Sequence, residues 1–290
     1  MKSTINYYYN LFPIDVVKQD EFFYFWINEE KYYFVPFNNN KIIVEKIYKK
    51  LLLERKKVNN LILNKDNSIT TFYKGKEYAL LMVNCIENEW VNLEDFYCVK
   101  MEEMPINWSE VWTNKVDYLE YQVSQRALGK DSILNSFSYY AGLAENAIQY
   151  YNMLNIKDFS VGIQHKRVFS DNYEINYYNP INMLIDYDVR DIAEYIKFSF
   201  FDSKMDENKI FSYINNLNLN NIMMNLLFVR LIFPTYYFDH YEKLINNEEN
   251  EIILLNIINK AKQYEEFLKD FYLYFEKKYV LFKIDWIFVD

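Results

Sequence analysis

Between Glu21 and Val83 the apolar residues come in short aromatic and aliphatic runs broken by turn residues; from about Leu93 onward they recur at helical spacing. The runs EFFYFWI (21–27) and KYYFVPF (31–37), separated by Asn28-Glu29-Glu30, predict a hairpin. Before it, Ile5 to Phe12 predicts a short helix stopped near Pro13; after it, Asn38, Asn39 and Asn40 are turn and cap residues. Lys41 to Lys56 predicts a helix that lays Ile43, Ile47 and Leu51 on the neighbouring sheet. Leu61 to Leu63, Ser68 to Tyr73 and Glu77 to Val83 predict three more strands, with turns at Lys65-Asp66-Asn67 and Lys74-Gly75-Lys76.

Helices are predicted over Val116 to Arg126, Ser132 to Leu154, Val189 to Phe200, Lys209 to Leu217, Ile222 to Phe233 and Glu251 to Lys277, and His240 sits in a further helical stretch, FDHYE. One non-helical island, Asp158 to Asp186, interrupts them. The layout is α+β: a small lobe over 1–88 with an antiparallel sheet and one helix, then a helical lobe over 89–290, joined near Asn84 to Glu89. No internal repeat, Gly/Ser linker or low-complexity tail divides it further.

Composition narrows the partners. Net charge is −9, which argues against nucleic acid and anionic membrane surfaces, both of which need a basic footprint. Five of the 32 basic residues are Arg, and the lysines are scattered as on a solvated face. Aromatics reach 20%, with 29 Tyr and 23 Phe beside abundant Asn, Ile and Lys; nucleotide bias in the source genome accounts for the excess, and an exposed share of it would favour contact with other proteins. Cys85 and Cys98 make neither a disulfide framework nor a zinc site and suit burial in a reducing cytoplasm. The opening MKSTINYYYNLFP lacks a signal peptide's apolar core and cleavage site. The most apolar window, Ile222 to Phe238, is interrupted by Asn225, Arg230 and Pro234, so a buried helix is expected there and no membrane span.

The island, together with the helical segment after it, reads DFSVGIQHKRVFSDNYEINYYNPINMLIDYDVRDIAEYIKFSFF. The stretch resembles the part of aminoglycoside-phosphotransferase-like kinases where a His-Gly-Asp loop precedes an Ile-Asp strand end. NPINMLID, RDIAEYIK and VRLIFPTYYFDHYE are similar to the spore-coat-associated branch of that superfamily, and EFFYFWINEEKYYFVPF with LILNKDNSITTFYKGKEYALLMV resembles its N-lobe. The resemblance runs from about residue 6 to KIDWIF and implies a two-lobed, protein-kinase-like fold.

Carried over position by position, the family pattern makes His165 the loop histidine, with Arg167 where the catalytic Asp belongs. Asn172 and Asp186 fall on the metal-binding positions, and Asp186 and Asp188 could bind Mg²⁺ with Asn172; the plainer reading gives both aspartates turn and N-cap duty before a helix at Val189. No glycine-rich turn joins the aromatic strands, YYFVPF carries no phosphate-binding Lys, and Glu45 on the next helix has no Lys to pair with. Phosphoryl transfer is positioning plus charge neutralisation, and a guanidinium cannot act as base. The resemblance therefore implies an inactive kinase-fold protein that needs no cofactor, carries vestigial His165, Arg167, Asn172 and Asp186, and binds other spore coat or assembly proteins. Arg167 is expected to pair with Asp186 or Asp188, and Tyr24 and Phe34 to close the nucleotide space. The alternative is a small-molecule phosphotransferase with a diverged site using Asp186 and Asn172 for Mg²⁺. His165 and His240 stand too far apart in sequence to make a metal site alone.

Overall fold

Aromatic and β-branched side chains fill a pleated, half-buried surface well, and the aromatic runs accordingly become strands. The structure is a computed structural model and describes residues 1–84, 93–96, 99–127, 130–168 and 175–288. It divides into two units, Met1–Glu103 with Gly162–Ile185, and Met104–Val161 with Asp186–Asp290.

The first unit contains α1 (Lys2–Tyr9), β1 (Val17–Gln19), β2 (Phe22–Ile27), β3 (Glu30–Pro36), α2 (Lys41–Leu53), β4 (Asn60–Ile62), β5 (Thr71–Tyr73) and β6 (Lys76–Met82). The strands form an antiparallel sheet in the order β1-β2-β3-β6-β4, with β5 also paired to β6. Alternation sorts the residues by face. Phe25, Tyr32, Phe34, Tyr78 and Leu80 pack with Ile5 of α1, while Tyr33, Val35, Leu61, Ala79 and Leu81 pack with Val44 of α2.

Several expectations change in detail. The face that α2 buries is Val44, Ile47 and Leu51, whereas Ile43 is 39% exposed. A series taken every fourth residue drifts by roughly 40° per step, and the 3.6-residue repeat puts Val44 in line instead. α1 begins and ends earlier than Ile5 to Phe12, because Asn10 adopts a left-handed C-cap at φ 53°. Strand β1 went unforeseen; its short run VKQ has no apolar alternation to announce it. Tyr24 and Phe34 lie on opposite faces of the sheet, so they cannot close one space together.

The hairpins turn on two residues each. Asn28 and Glu29 hold φ at 50° and 71°, and Lys74 and Gly75 at 48° and 80°, which gives the positive-φ geometry that matches strand twist. Asp20, at φ 49°, opens the Asp20-Glu21 turn between β1 and β2.

β7 (Val161–His165) pairs with β8 (Met183–Tyr187). The second unit is helical: α3 (Trp108–Arg126), α4 (Asp131–Met153), α5 (Arg190–Phe201), α6 (Glu207–Asn216), α7 (Asn221–Ile232), α8 (Thr235–Ile245), α9 (Glu251–Asn259) and α10 (Ala261–Phe275). Asparagine and aspartate start several of them: Asn107, Asp206, Asn220 and Asn250 each accept a first-turn amide. The Asn107 cap starts α3 eight residues before Val116, within a Trp-rich turn whose apolar spacing is weak.

Every residue from Met223 to Ile232 is buried, so α7 is the central helix of this unit. Its two polar interruptions are satisfied: Asn225 accepts from the Tyr150 hydroxyl at 2.6 Å and donates to the carbonyls of Asn221 and Val280, and Arg230 pairs with Glu194. Among the described residues no helix is long and apolar enough to cross a membrane. The single helix expected over Glu251 to Lys277 breaks at Lys260. There the amide closes a tight turn onto Ile257, while the ammonium anchors to the Phe201 carbonyl and the Ser203 hydroxyl at the end of α5.

Candidate functional site

The two-residue turns of the first unit bear directly on nucleotide chemistry. Neither Asp20-Glu21 nor Asn28-Glu29 contains a glycine, and both carry carboxylates where a phosphate-covering loop would need bare amides. Strand β3 begins at Glu30, one residue before the expected run, and holds Lys31 just ahead of the YYFVPF segment that carries no Lys. The Lys31 ammonium lies 4.9 Å from the Tyr33 ring centre and 5.7 Å from that of Trp26. Glu45 on α2 lies 3.7 Å from Lys49, one turn along the same helix.

His165 ends β7, is 1% exposed, and stacks on the Tyr177 ring at 4.5 Å and 11°. Its Nε2 lies 3.2 Å from the Tyr177 carbonyl oxygen, a contact that only a protonated nitrogen makes. The histidine thus holds the backbone that leaves β7. Arg167, two residues on, is partly buried and donates Nη1 to the Lys166 carbonyl at 2.7 Å. Asn172 lies outside the described residues, as do Cys85 and Cys98.

Asp186 belongs to the second unit and is wholly buried. Its Oδ1 accepts from the Trp108 indole at 3.0 Å and from the Tyr187 amide at 2.8 Å, and its Oδ2 from the same indole at 2.9 Å and from Arg190 Nη1 at 2.8 Å. The cation on Asp186 is therefore Arg190, from the first turn of α5, and not Arg167. A β-strand end followed at once by a helix brings residues 186 and 190 together, which places the ion pair inside one short segment. Asp188 is half-buried and accepts from the Ser160 hydroxyl. Neither aspartate caps α5: the N-cap is Val189, with no side-chain cap.

Aromatic rings wall the carboxylate in. Trp108 stacks on Trp112 at 5.2 Å, Trp112 on Phe233 at 4.3 Å, and Tyr187 meets Trp108 edge-on at 5.0 Å. Burial pushes the Tyr187 phenol well above its ordinary pKa, helped by its hydrogen bond with Tyr151 and by the Asp186 charge. Next to this box, Glu194 accepts from Lys197 at 2.9 Å and from Arg230 Nε at 2.8 Å, and the Arg230 guanidinium lies 5.0 Å from the Trp108 ring centre. Lys197, 1% exposed, also donates to the Arg230 carbonyl and the Thr235 hydroxyl.

Of the residues expected at a metal site, Asp186 has no oxygen left for a metal ion. Both oxygens of Asp186 are filled by N–H donors, one of them a cation, and a divalent ion would have to displace that cation from a dry box. Among the described residues, no three His, Cys, Asp or Glu side chains gather to hold a metal. Sequence reasoning missed Trp108, Glu194, Lys197 and Arg230. A signal was there: Arg190, Glu194 and Lys197 fall at i, i+4 and i+7, so charges share one face of a helix that has Ile192 and Ile196 beside them.

Comparison with known proteins agrees with this architecture. The family described as "Spore coat putative kinase YutH" matches residues 2–271. The endospore coat-associated protein YutH of Bacillus subtilis (strain 168) is 25% identical over 247 residues, 73% of each chain. Among solved structures, an aminoglycoside phosphotransferase from Alicyclobacillus acidocaldarius aligns with a TM-score of 0.60 at 11% identity over 96% of both chains. A spectinomycin phosphotransferase in complex with ADP and spectinomycin aligns with a TM-score of 0.57 at 11% identity, over 93% of this chain and 92% of that one. Likeness at that identity establishes the kinase-like phosphotransferase fold.

Proposed function

The chain belongs to the YutH spore coat family, and from that premise we propose that it works by binding other proteins and does not transfer phosphate. The observation that carries the proposal is the Asp186 carboxylate, buried with both oxygens satisfied by Trp108, Tyr187 and Arg190. A carboxylate that must hold Mg²⁺ needs free lone pairs facing a solvent-filled site. The glycine-free Asp20-Glu21 and Asn28-Glu29 turns and Arg167 in place of a base point the same way. Partners are other coat or assembly proteins and the location is the spore coat, in line with the relative named endospore coat-associated.

Lys31 in β3 favours a second reading, a small-molecule phosphotransferase with a diverged site, since that strand is where kinases carry the phosphate-binding Lys. One pair of measurements separates the two. A thermal-shift titration with ATP and Mg²⁺ should leave the melting temperature unchanged, and incubation with γ-labelled ATP and aminoglycoside acceptors should leave no label on acceptor or protein. A saturable shift together with labelled product would establish the phosphotransferase instead.

A further inference from the structure

On its α1 side, the sheet of the first unit carries a cleft of about 320 Å³ between the Asp20-Glu21 turn and the Lys74-Gly75 turn. Strand register builds it. Lys18 lies opposite Phe23 and Lys76 opposite Tyr73, so two lysine stems run along an aromatic floor that Tyr78 completes. The floor is itself packed, with Tyr73 edge-on to Phe23 and to Tyr78, both at 5.8 Å.

The charges around the floor are not all neutralised. Lys76 has its counter-ion in Glu21 at 3.4 Å. No carboxylate of the described residues pairs with Lys18 or Lys74, and the Lys74 ammonium lies 5.5 Å from the Tyr73 ring centre. The rim thus carries three lysines against the carboxylates of Asp20 and Glu21, and in a chain of net charge −9 this cleft keeps a positive balance.

Strand β1 supplies an independent observation. It is the edge of the sheet, and all three of its residues are exposed. A two-residue loop makes Gln19 and Phe22 the hydrogen-bonded pair, so the ladder's alternation turns the N–H and C=O of Lys18 outward. Charge-guarded edges of this kind avoid nonspecific pairing yet admit a strand of complementary charge.

We infer that this cleft and the β1 edge together dock an extended acidic segment of a partner protein. The segment's backbone pairs with Lys18, its carboxylates meet Lys18 and Lys74, and an apolar or aromatic side chain lies on Phe23, Tyr73 and Tyr78. The inference rests on the binding half of the proposed function and is independent of Asp186.

Fluorescence anisotropy with a fluorescein-labelled octapeptide alternating Glu with Val and Tyr tests it. The full chain should bind this peptide saturably, the same peptide with Lys for Glu should not bind, and the double variant Lys18→Glu, Lys74→Glu should weaken binding by roughly tenfold or more. Both lysines are exposed, so the variant keeps its fold, and its circular dichroism spectrum should overlay that of the parent. Hydrogen exchange at the Lys18 amide should slow when the acidic peptide binds. Equal binding by the double variant, equal binding of the Lys peptide, or complete displacement of the acidic peptide by inorganic phosphate would overturn the inference. Phosphate transfer by the protein would sink the Asp186 reading and leave this one standing, whereas failure here removes this surface and not the inert carboxylate.

Discussion

Arg190 and Asp186 meet at 2.8 Å, with neither residue more than 6% exposed. A buried pair of this kind is costly to break from one side, because the survivor keeps its charge in a dry site. Arg190→Leu and Asp186→Asn should each lower stability by roughly 3–5 kcal/mol in urea denaturation. The double variant should cost less than the sum of the two, since no lone charge remains. A stabilising Asp186→Asn would instead mark a carboxylate held for an absent cation.

The helix α2 offers a clean contrast. Ile47 is fully buried and Ile43 is 39% exposed. Ile47→Ala should cost roughly 2–5 kcal/mol and Ile43→Ala roughly 0.5 kcal/mol or less, both read from chemical denaturation midpoints. Equal losses would mean that α2 lies on the sheet by a different face.

Glu194 serves two cations at once, Lys197 and Arg230. Glu194→Ala should destabilise by roughly 3–5 kcal/mol, since both cations lose a buried acceptor. Thr235→Ala, which removes a neutral hydroxyl shared by the Lys197 ammonium and Glu194, should cost about 1 kcal/mol. Thermal unfolding of the two variants side by side distinguishes a shared anchor from a chance contact.

Buried phenols set the alkaline limit. Burial pushes Tyr9 and Tyr237 up to about 12 from an ordinary value of 10.0, with hydrogen bonds to Thr71 and Ser136 offsetting part of it, and drives Tyr187 higher still. The folded-state pKa is raised, so the folded chain keeps protons that the unfolded chain gives up. This contribution to stability is whole below pH 10 and is lost as pH rises toward 12. In phenolate absorbance and circular dichroism recorded together, ionisation of these residues should coincide with unfolding. Their full ionisation in a chain that keeps its folded spectrum would refute this.

Much of the fold was legible because its signals are local. The aromatic hairpin, the α2 helix and the mostly apolar α7 each announce themselves within a short stretch of sequence, and the family resemblance carried the two-lobed architecture that local periodicity alone does not specify. The start of α3 and the strand β1 were not legible, since the helix depends on the Asn107 cap and the strand on a partner, Phe22 to Tyr24, that lies beyond its own turn. For the site, the sequence picked out Asp186 and offered Arg167 to it or to Asp188, whereas the guanidinium found on Asp186 is that of Arg190. Which of five arginines reaches a carboxylate is a matter of packing, and the decisive neighbour, Trp108, stands 78 residues upstream.

Four glycines serve the whole chain, and among the described residues ten others hold positive φ. At Glu29 and Lys74 that posture costs roughly 1–2 kcal/mol each, for want of glycine's freedom. The strand pairs beside those turns are clasped by rings instead, as where Phe25 stacks on Tyr32 at 5.3 Å. Each of these turns suits the twist of its strands yet carries a cost in its own backbone, so the hairpins lean on their ring contacts for part of their hold.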